Sequence, residues 1–600
     1  MELLDYYRNN LAYIRNLAVE FSAEFPKIAG RLGLREFECD DPYIERLLEG
    51  TAFLSARVEK KLDDGYKNFL ETTLNSIAPS VLYPVPSGAV LELNLNYNND
   101  KVRRGACLES GAMFDAFIPT INTPCTFSTV EDAVLVPLVV SEVEYITRAL
   151  SDFDIADRSG LAGLRIKLSC NAGIEVKDPI KKLVFYINLS DGDSSRLLRQ
   201  IMHETAGVYA RYGKGAFSRL SDLTFDMPLA SGRELLRDGL TNGVHGLKLL
   251  QNFLAYPEFF RFFSMESAGG LLTRGPDTVE LLLVFKRREM SLSSVKNGAL
   301  RLNCVPVLNL FAKRSNRVMM GREMYEFHVT PDKSAPKDYE IVNINKLEFF
   351  NEQNETLFFA DKFYEEDLFA ENAVSNFFSQ HRRKSLVNPR VTRRSSYDGT
   401  EVFVSFSVRD KKLENAYQFS AETICTNRDL GLLISGDTPL DSRSPLVLGA
   451  SFITRPSRPD YSFMERDDIS AFSRISHIVF NLSALFWQNG RFPLEALRTL
   501  IASYRLRPNE EIERAVEGIT ALETESKAFR FIKNGGVFFE MGWMVKVTLD
   551  ENVLAGIGYY TFGRIIAELL KSFTSINSLL EIHFFSKQSG RVAVWKTSKD

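Results

Sequence analysis

Residues 4–26 read LDYYRNNLAYIRNLAVEFSAEFP and repeat apolar side chains at alternating steps of three and four. The repeating positions are Leu4, Tyr7, Leu11, Ile14, Ala18, Phe21 and Phe25. This period places all of them on one face of an α-helix, as in the seam of a coiled coil. Because proline lacks the N–H that a helix interior needs, Pro26 is predicted to end this helix.

A second, longer helix is predicted to follow. Asp41 is a suitable N-cap, and Pro42 fits the first helical position. A second stripe at helical spacing comprises Ile44, Leu48, Leu54, Val58, Leu62, Tyr66, Phe69 and Ile77. A helix of about 36 residues would be about 50 Å long, unless Gly65 breaks it. Two interpretations stay open: a helical hairpin that packs on its own domain, and an intermolecular helix bundle.

Beyond the breakers of residues 83–88 the apolar period changes to two. Leu91, Leu93 and Leu95 alternate with polar residues, which is typical of a strand with one side in water. Similar patterns predict strands at 164–170, 182–189, 279–285, 339–349, 402–408 and 543–549. Helices are predicted at 194–203, 235–265, 472–487, 493–504 and 562–573.

These elements predict an α+β fold. Long N-terminal helices are followed by β-rich, multi-layer domains and a mixed α/β C-terminal domain, in an elongated molecule. The predicted ranges are a helical segment at 1–82, a β-rich domain at 83–232, a middle α+β domain at 233–460 and a C-terminal α/β domain at 461–600.

Composition and charge exclude several classes of protein. Lys+Arg 73 against Asp+Glu 77 gives a net charge of −4, so broad nucleic-acid binding is not expected. The six histidines and six cysteines show no metal-ligand or Cys-x-x-Cys spacing, and no metal or cofactor is predicted. The start of the chain lacks a signal peptide, and the apolar stretch 475–487 is too short to span a bilayer. We therefore expect a soluble, cytoplasmic protein.

Three local patterns resemble catalytic motifs but are incomplete. His203-Glu204 lacks a second histidine because Gly207 occupies that position, and Ser293 lies three residues before Lys296 without the other motifs of serine–lysine enzymes. Gly213-Lys214-Gly215 lacks the rest of a phosphate loop. A non-enzymatic protein is predicted. The alternative is a hydrolase-like enzyme whose site is assembled from distant residues.

A basic run contains Arg382, Arg383, Lys384, Arg390, Arg393 and Arg394. It is open to two interpretations: a nucleic-acid arm, or a mobile, solvated loop that docks on an acidic protein partner. The absence of interleaved aromatic residues favours the protein-contact loop.

Several short motif blocks are distributed over most of the chain. They are Tyr6-Tyr7-Arg8, Leu11-Ala12-Tyr13, the block 25–32, Asp41-Pro42, Glu45-Arg46-Leu47-Leu48-Glu49-Gly50, Tyr83-Pro84, Tyr256-Pro257-Glu258, the block 303–311 with Pro306, Asn309 and Phe311, Cys425-Thr426-Asn427-Arg428-Asp429-Leu430, Thr454-Arg455-Pro456-Ser457 and Ser575-Ile576-Asn577-Ser578. In this order they resemble the TssF family (also called VasA or ImpG), a baseplate subunit of the bacterial type VI secretion system. Gly431 replaces the proline that usually follows the Cys-Thr-Asn-Arg-Asp-Leu block.

The resemblance implies a structural subunit of a contractile, phage tail-like machine. Two copies would pair with one TssG chain in a wedge, which contacts TssE, TssK and the spike hub protein VgrG. The assembled baseplate would dock at the inner membrane without inserting this chain. The seam from Leu4 to Phe25 would then pack against another chain, and Arg382, Arg383 and Lys384 would lie at a protein interface. The excess of phenylalanine, 45 residues against 3 tryptophans, fits apolar assembly interfaces.

Two signature blocks carry polar residues whose role stays open. Asn427 and Arg428 would cap the end of a strand or bind a carboxylate of a partner. Asn309 lies between apolar residues and needs a hydrogen-bond partner if it is buried.

Overall fold

The computed structural model describes residues 3–32, 41–77, 82–147, 160–170, 179–213, 215–228, 245–267, 278–321, 324–363, 376–385, 394–397, 399–408, 411–461, 493–504, 510–533, 536–573 and 579–596, with positions 150, 153 and 155. The predicted helix at 472–487, Lys214, Arg390, Arg393 and the block 575–578 lie outside these residues. The chain divides into two compact units, residues 1–76 (unit 1) and residues 77–600 (unit 2).

Unit 1 is helical. Its elements are α1 (Leu3–Glu24), α2 (Pro26–Arg31) and α3 (Pro42–Ile77). The predicted cap of α3 is confirmed, since the Tyr43 N–H donates to Asp41 Oδ1 over 2.9 Å. The helix of 36 residues is observed, and the alternative of a break at Gly65 does not occur, because α3 continues through this glycine. One glycine inside a helix costs only about 1 kcal/mol relative to alanine, which a long helix tolerates.

The helices of unit 2 are shorter. They are α4 (Asp100–Arg103), α5 (Asp191–His203), α6 (His245–Ala255), α7 (Leu494–Ser503), α8 (Glu510–Glu517) and α9 (Tyr559–Ser572). None of the helices in the described ranges is long and apolar enough to cross a membrane.

Strands make up most of unit 2. In chain order they are β1 (Gly88–Leu95), β2 (Ala106–Leu108), β3 (Met113–Ala116), β4 (Cys125–Thr129), β5 (Ala133–Leu135), β6 (Leu138–Ile146), β7 (Ala162–Cys170), β8 (Lys182–Ile187), β9 (Thr205–Tyr212), β10 (Ser218–Arg219), β11 (Leu223–Asp226), β12 (Phe262–Ser267), β13 (Thr278–Phe285), β14 (Leu300–Arg301), β15 (Cys304–Leu308), β16 (Phe311–Arg314), β17 (Val318–Met319), β18 (Phe327–Val329), β19 (Glu340–Phe350), β20 (Thr356–Lys362), β21 (Asn376–Lys384), β22 (Thr400–Val408), β23 (Gln418–Thr426), β24 (Leu440–Ser442), β25 (Val447–Phe452), β26 (Ile519–Lys533), β27 (Gly536–Leu549), β28 (Leu579–Ser586) and β29 (Gly590–Lys596).

A closed barrel uses strands that are far apart in the chain. Its order is β1-β15-β4-β3-β24-β25, and β1 pairs with both β15 and β25. The alternation in β1 follows the prediction: Leu91, Leu93 and Leu95 are buried in the barrel core, while Glu92 is partly exposed and Asn94 exposed. Phe114 and Phe127 fill the same core.

A second large element of unit 2 is an eight-stranded sheet. Its order is β16-β23-β19-β20-β21-β22-β18, and β17 pairs with β23. Aromatic side chains dominate its core, where the rings of Phe349 and Phe358 stack with centroids 4.6 Å apart. Only the β20–β21 pair of this sheet is parallel in the described ranges.

Two smaller antiparallel sheets have the orders β10-β9-β13-β7-β6 and β11-β12-β8-β14. One helix prediction fails here, because residues 262–265 belong to strand β12 instead of a helix that reaches 265. Pro257 starts a single 3₁₀ turn after α6. Phe262 and Phe263 then pair with Tyr186 and Phe185 of β8, where their rings are fully packed.

A four-stranded sheet of order β26-β27-β28-β29 belongs to the C-terminal part of unit 2. Helix α9 connects the parallel strands β27 and β28 and packs closely on α6. At Gly246 of α6 an added Cβ would lie 2.5 Å from Leu569 Cα, so only glycine permits this approach. The Ser195 hydroxyl of α5 accepts the N–H of Tyr560 over 2.8 Å and thereby caps α9.

The predicted α+β fold with several sheets is confirmed. The domain ranges 1–82, 83–232, 233–460 and 461–600 stay a prediction. The barrel takes strands from both middle ranges, because β1, β3 and β4 precede residue 232 and β15, β24 and β25 follow it.

Candidate functional site

Helices α1 and α3 of unit 1 form an antiparallel pair joined by polar contacts. Tyr6 donates its hydroxyl to Asp63 over 2.6 Å, and Asn10 donates to Glu59 over 2.6 Å. Asn10 follows Tyr6 along α1, whereas its partner Glu59 precedes Asp63 along α3, so the two helices run in opposite directions. Ala52 and Ala56 are fully buried on the side of α3 that carries Glu59 and Asp63.

The predicted seam of α1 is only partly covered. Tyr7, Leu11 and Ile14 are half-buried, and the Tyr7 ring lies 6.4 Å from the Phe53 ring of α3. Leu4, Phe21 and Phe25 remain exposed. The seam therefore supplies part of the hairpin packing and leaves both of its ends open.

A larger apolar surface lies on the outside of α3. Its members are each at least 60% exposed: Tyr43, Leu47, Leu54, Val58, Leu62 and Phe69, hereafter the α3 stripe. At about 100° per residue they fall within an arc of about 100°, and the stripe is about 39 Å long. Apolar patches of this extent are uncommon on monomeric proteins and mark interaction sites.

The signature residues near the start of α3 serve the helix and the stripe. Pro42 occupies the first helical position, Arg46 pairs with Glu49 over 2.5 Å, and Leu47 belongs to the stripe. Leu48 is partly exposed, and nothing lies within 4 Å of a Cβ added at Gly50.

The signature residues of unit 2 meet in a buried polar network, which we call the joint. It consists of Thr126, Asn309, Thr426 and Asn427, all at most 4% exposed. Asn309 donates to the Thr126 carbonyl over 2.7 Å and to Asn427 Oδ1 over 2.9 Å, and its Oδ1 accepts from the Thr426 hydroxyl over 2.6 Å. The predicted requirement for a partner at Asn309 is thus met.

The joint connects the barrel to the eight-stranded sheet. The Thr126 N–H of barrel strand β4 donates to Asn427 Oδ1 over 3.0 Å, while Asn427 directly follows β23. Phe311 pairs with Cys425 between β16 and β23, and Pro306 lies opposite Val90 in the barrel. These bonds match the strand-capping interpretation of Asn427.

Arg428 is held inside unit 2 as well. It has a left-handed backbone (φ 52°), is 8% exposed, and donates from Nη2 to the Thr400 carbonyl over 3.4 Å. Its guanidinium packs against Gly399, where an added Cβ would lie 2.9 Å from Nε. This position is typical of a residue that fixes the chain after a strand.

Three residues of the basic run lie in a strand instead of the predicted loop. Arg382, Arg383 and Lys384 lie in strand β21, paired with Val402, Glu401 and Thr400 of β22. The loop prediction is wrong for these three residues, because a paired strand also accommodates charged side chains, as the contacts of Arg382 and Arg383 show. The Lys384 side chain lies outside the described residues.

Both described arginines of this strand contact the same unit. Arg382 donates to the carbonyls of Ile341 over 2.7 Å and Val342 over 2.8 Å. Arg383 pairs with Glu326 over 2.7 Å and lies 4.5 Å above the Phe403 ring. A role for this strand at an interface with a partner stays a prediction.

The residues of the incomplete catalytic motifs have structural surroundings. His203 Nε2 lies 2.9 Å from the Tyr560 hydroxyl, and burial together with the nearby Arg564 lowers the pKa of His203 to about 4. Ser293 donates to the Met290 carbonyl over 2.7 Å. Burial raises the pKa of the Cys425 thiol to about 12, so the thiol is protonated at neutral pH. In the described part of the chain no three His, Cys, Asp or Glu side chains cluster as metal ligands.

An exposed apolar surface of the extent of the α3 stripe is typical of proteins that bind other proteins. The sequence profile of "Type VI secretion system, TssF" matches residues 1–599. The chain belongs to this TssF family.

Among curated proteins, the type VI secretion system component TssF1 of Pseudomonas aeruginosa is 30% identical over 613 residues, with 99% of this chain and 98% of the relative covered. Among solved structures, a chain of the TssK-TssF-TssG baseplate subcomplex has a TM-score of 0.72 at 19% identity, with 93% and 98% coverage. A chain of the baseplate complex from the type VI secretion system has a TM-score of 0.58 at 18% identity, with 99% and 98% coverage.

Proposed function

We propose that this chain is a non-enzymatic, structural subunit of a type VI secretion baseplate, working with a TssG and a TssK homologue. Membership of the TssF family supports the baseplate role. The fold likeness to a chain of a TssK-TssF-TssG subcomplex supports these two partners.

We further propose the arrangement that the family resemblance implies. Two copies of this chain associate with one TssG chain in a wedge, which contacts TssE and the spike hub protein VgrG. The subunit acts in the cytoplasm, where the assembled baseplate docks at the inner membrane. Its work is mechanical: interfaces hold the baseplate in one state and rearrange when the sheath contracts.

Unit 1 is the part of the chain best suited to bind TssG. Leu54, Val58 and Leu62 of the α3 stripe recur every four residues and stand in water. Burial of one large apolar side chain stabilises a complex by about 1.5–3 kcal/mol, so the stripe offers on the order of 10 kcal/mol before the costs of association. The exposed ends of the α1 seam, Leu4, Phe21 and Phe25, offer further apolar surface on unit 1.

The test is co-expression with a TssG homologue and measurement of the intact mass of the purified complex. We expect two copies of this chain per TssG. Leu54→Glu with Leu62→Glu should lower the recovered complex at least about tenfold, because charges would enter an apolar interface. Arg57→Glu is the matched control: it changes the net charge equally and points about 100° away from Val58 on the helix.

Recovery of this chain as a monomer that does not bind TssG would contradict the proposal. Equal recovery of the stripe variant and the Arg57→Glu control would leave the wedge in place but assign TssG binding to another surface. Thermal unfolding of the free variants shows whether each remains folded.

A further inference from the structure

Strands β26 and β27 form a long antiparallel pair, and its end extends past the described part of the rest of the sheet. The strands pair continuously from Lys527 opposite Gly542 to Lys533 opposite Gly536. In the described residues, β28 begins at Leu579, opposite Gly542. Within these ranges the last six pairs form a two-stranded ribbon, about 20 Å long at about 3.3 Å per residue. Two strands alone are marginally stable in water, and a ribbon of this kind gains stability from further strands.

The outer edge of this ribbon is β26. It is the terminal strand in the sheet order, so no strand pairs with its outer side in the described ranges. Its register is regular from Ala521 to Lys533, without a bulge, and the strand contains no proline. Proline, bulges and short length are the usual protections of an edge, and their lack leaves a regular row of N–H and C=O groups for pairing.

The side chains along this edge are exposed. Ser526, Lys527, Ala528 and Arg530 are all exposed, and helices α7 and α8 contact the strand near its start, where Arg498 donates to the Ile519 carbonyl over 2.8 Å. The part from Ser526 onward is thus available to another chain in the described structure.

The order of charges along β26 matches a second copy of the same strand. Acidic residues, Glu523 and Glu525, occupy the first half, and basic residues, Lys527, Arg530 and Lys533, the second half. Parallel pairing in register would set acid against acid and base against base. Antiparallel pairing sets the acidic half of each copy against the basic half of the other, which favours association.

The register is restricted by Lys527. A two-fold axis at Lys527 would place two lysines in direct opposition, and an axis at Arg530 would oppose Lys527 to Lys533. An axis at Ser526 would oppose Glu525 to Lys527, but it would bring the end of the other ribbon onto the start of β26, where α7 and α8 contact the strand. An axis at Ala528 avoids these conflicts: it places two small alanines face to face, Lys527 opposite Phe529 and Glu523 opposite Lys533 of the other copy. Within one copy the Lys527 ammonium pairs with Glu581 of β28 over 3.2 Å and lies 5.4 Å from the Phe529 ring, so Lys527 and Phe529 are compatible with a cation–π contact.

We propose that the β26 edge pairs antiparallel with the β26 edge of a second copy of this chain, about an axis at Ala528. The two ribbons then form one four-stranded sheet of order β27-β26-β26-β27. This contact involves neither TssG nor the α3 stripe, and it fails or holds independently of the proposed function.

Cysteine cross-linking of the full-length chain tests the register. The exposed Cys107 is first replaced by serine, and Ala528→Cys is then compared with Ser526→Cys under mild oxidation. At an axis through Ala528 the two Cα atoms lie about 5 Å apart, within reach of a disulfide. The two Cα atoms at position 526 are about 13 Å apart and cannot form one.

We expect a disulfide-linked dimer from Ala528→Cys, at least about tenfold more than from Ser526→Cys. Similar yields from both variants would indicate random collision and would overturn the proposal, as would the lack of a dimer from either. A cross-link from position 528 to a different protein after co-expression with a TssG homologue, in place of the homodimer, would assign the edge to that partner and also overturn it.

Discussion

In unit 1, α3 exposes six large apolar side chains to water, whereas the joint of unit 2 buries four polar side chains away from water. The first arrangement is uncommon for a free protein, and the second is stable because its groups are hydrogen-bonded to one another. The α3 stripe leaves unburied the groups that normally drive folding. The joint buries groups that are costly to bury, and each bond has to be made inside the protein.

The difference separates the two tasks of an assembly subunit. An exposed apolar surface stays available for a partner, and binding covers it. A buried network with fixed geometry, such as Asn309 with Thr126 and Asn427, sets one orientation of the barrel on the eight-stranded sheet. Unit 1 is thus suited to binding, and the joint is suited to keeping its surroundings rigid.

The largest expected effect contrasts the same substitution in the two regions. Asn427→Ala removes the acceptor of the Thr126 N–H and of the Asn309 amide, and each buried group left unsatisfied costs about 1–3 kcal/mol. We expect a loss of about 3–5 kcal/mol in the free energy of unfolding, measured by urea denaturation.

Asn10→Ala is the matched substitution in unit 1. Asn10 donates to the exposed Glu59, and water can replace this bond, so a loss of less than about 1 kcal/mol is expected. Equal losses for Asn10→Ala and Asn427→Ala would contradict the contrast between the two regions.

A smaller effect concerns His203, whose contact with the Tyr560 hydroxyl joins α5 to α9 in the C-terminal part of unit 2. Its pKa falls from 6.5 to about 4 on folding. Between these values the unfolded chain binds a proton that the folded chain does not, so the stability from neutral His203 is present above pH 6.5 and is lost as the pH falls toward 4.

Thermal unfolding between pH 7 and 4.5 measures this term against His203→Gln, which removes the titrating group. The wild-type chain should lose about 2 kcal/mol more than the variant over this range. Parallel pH profiles of the two proteins would show that His203 does not titrate with folding.

The sequence predicts local structure well where one chain segment determines it. The spacing of Leu4 to Phe25 and the Asp41-Pro42 cap yield α1 and α3, and the alternation at 91–95 yields β1. These features depend on neighbours a few residues away. The loop prediction failed at Arg382–Lys384 because a high density of charge does not exclude a strand. Arg383 lies over the Phe403 ring of the paired strand β22 and forms an ion pair with Glu326.

Long-range partners could not be predicted from periodicity. Strand β1 pairs with β15 and β25, more than 200 and 350 residues away, and alternation gives the buried face of a strand without naming its neighbour. The joint is similar: Asn309 and Asn427 are 118 residues apart, and the one available signal was an asparagine among apolar residues. The exposure of the α3 stripe also depends on which face α1 covers.

Hydrogen exchange of the free chain and of its complex with a TssG homologue tests the central claim most directly. Amides at 47–62 should exchange several-fold more slowly in the complex, because a covered helix opens less often. Amides at 418–427, next to the joint, should exchange equally in both samples. Unchanged exchange at 47–62, or slowing at 418–427 alone, would contradict the assignment of partner binding to unit 1.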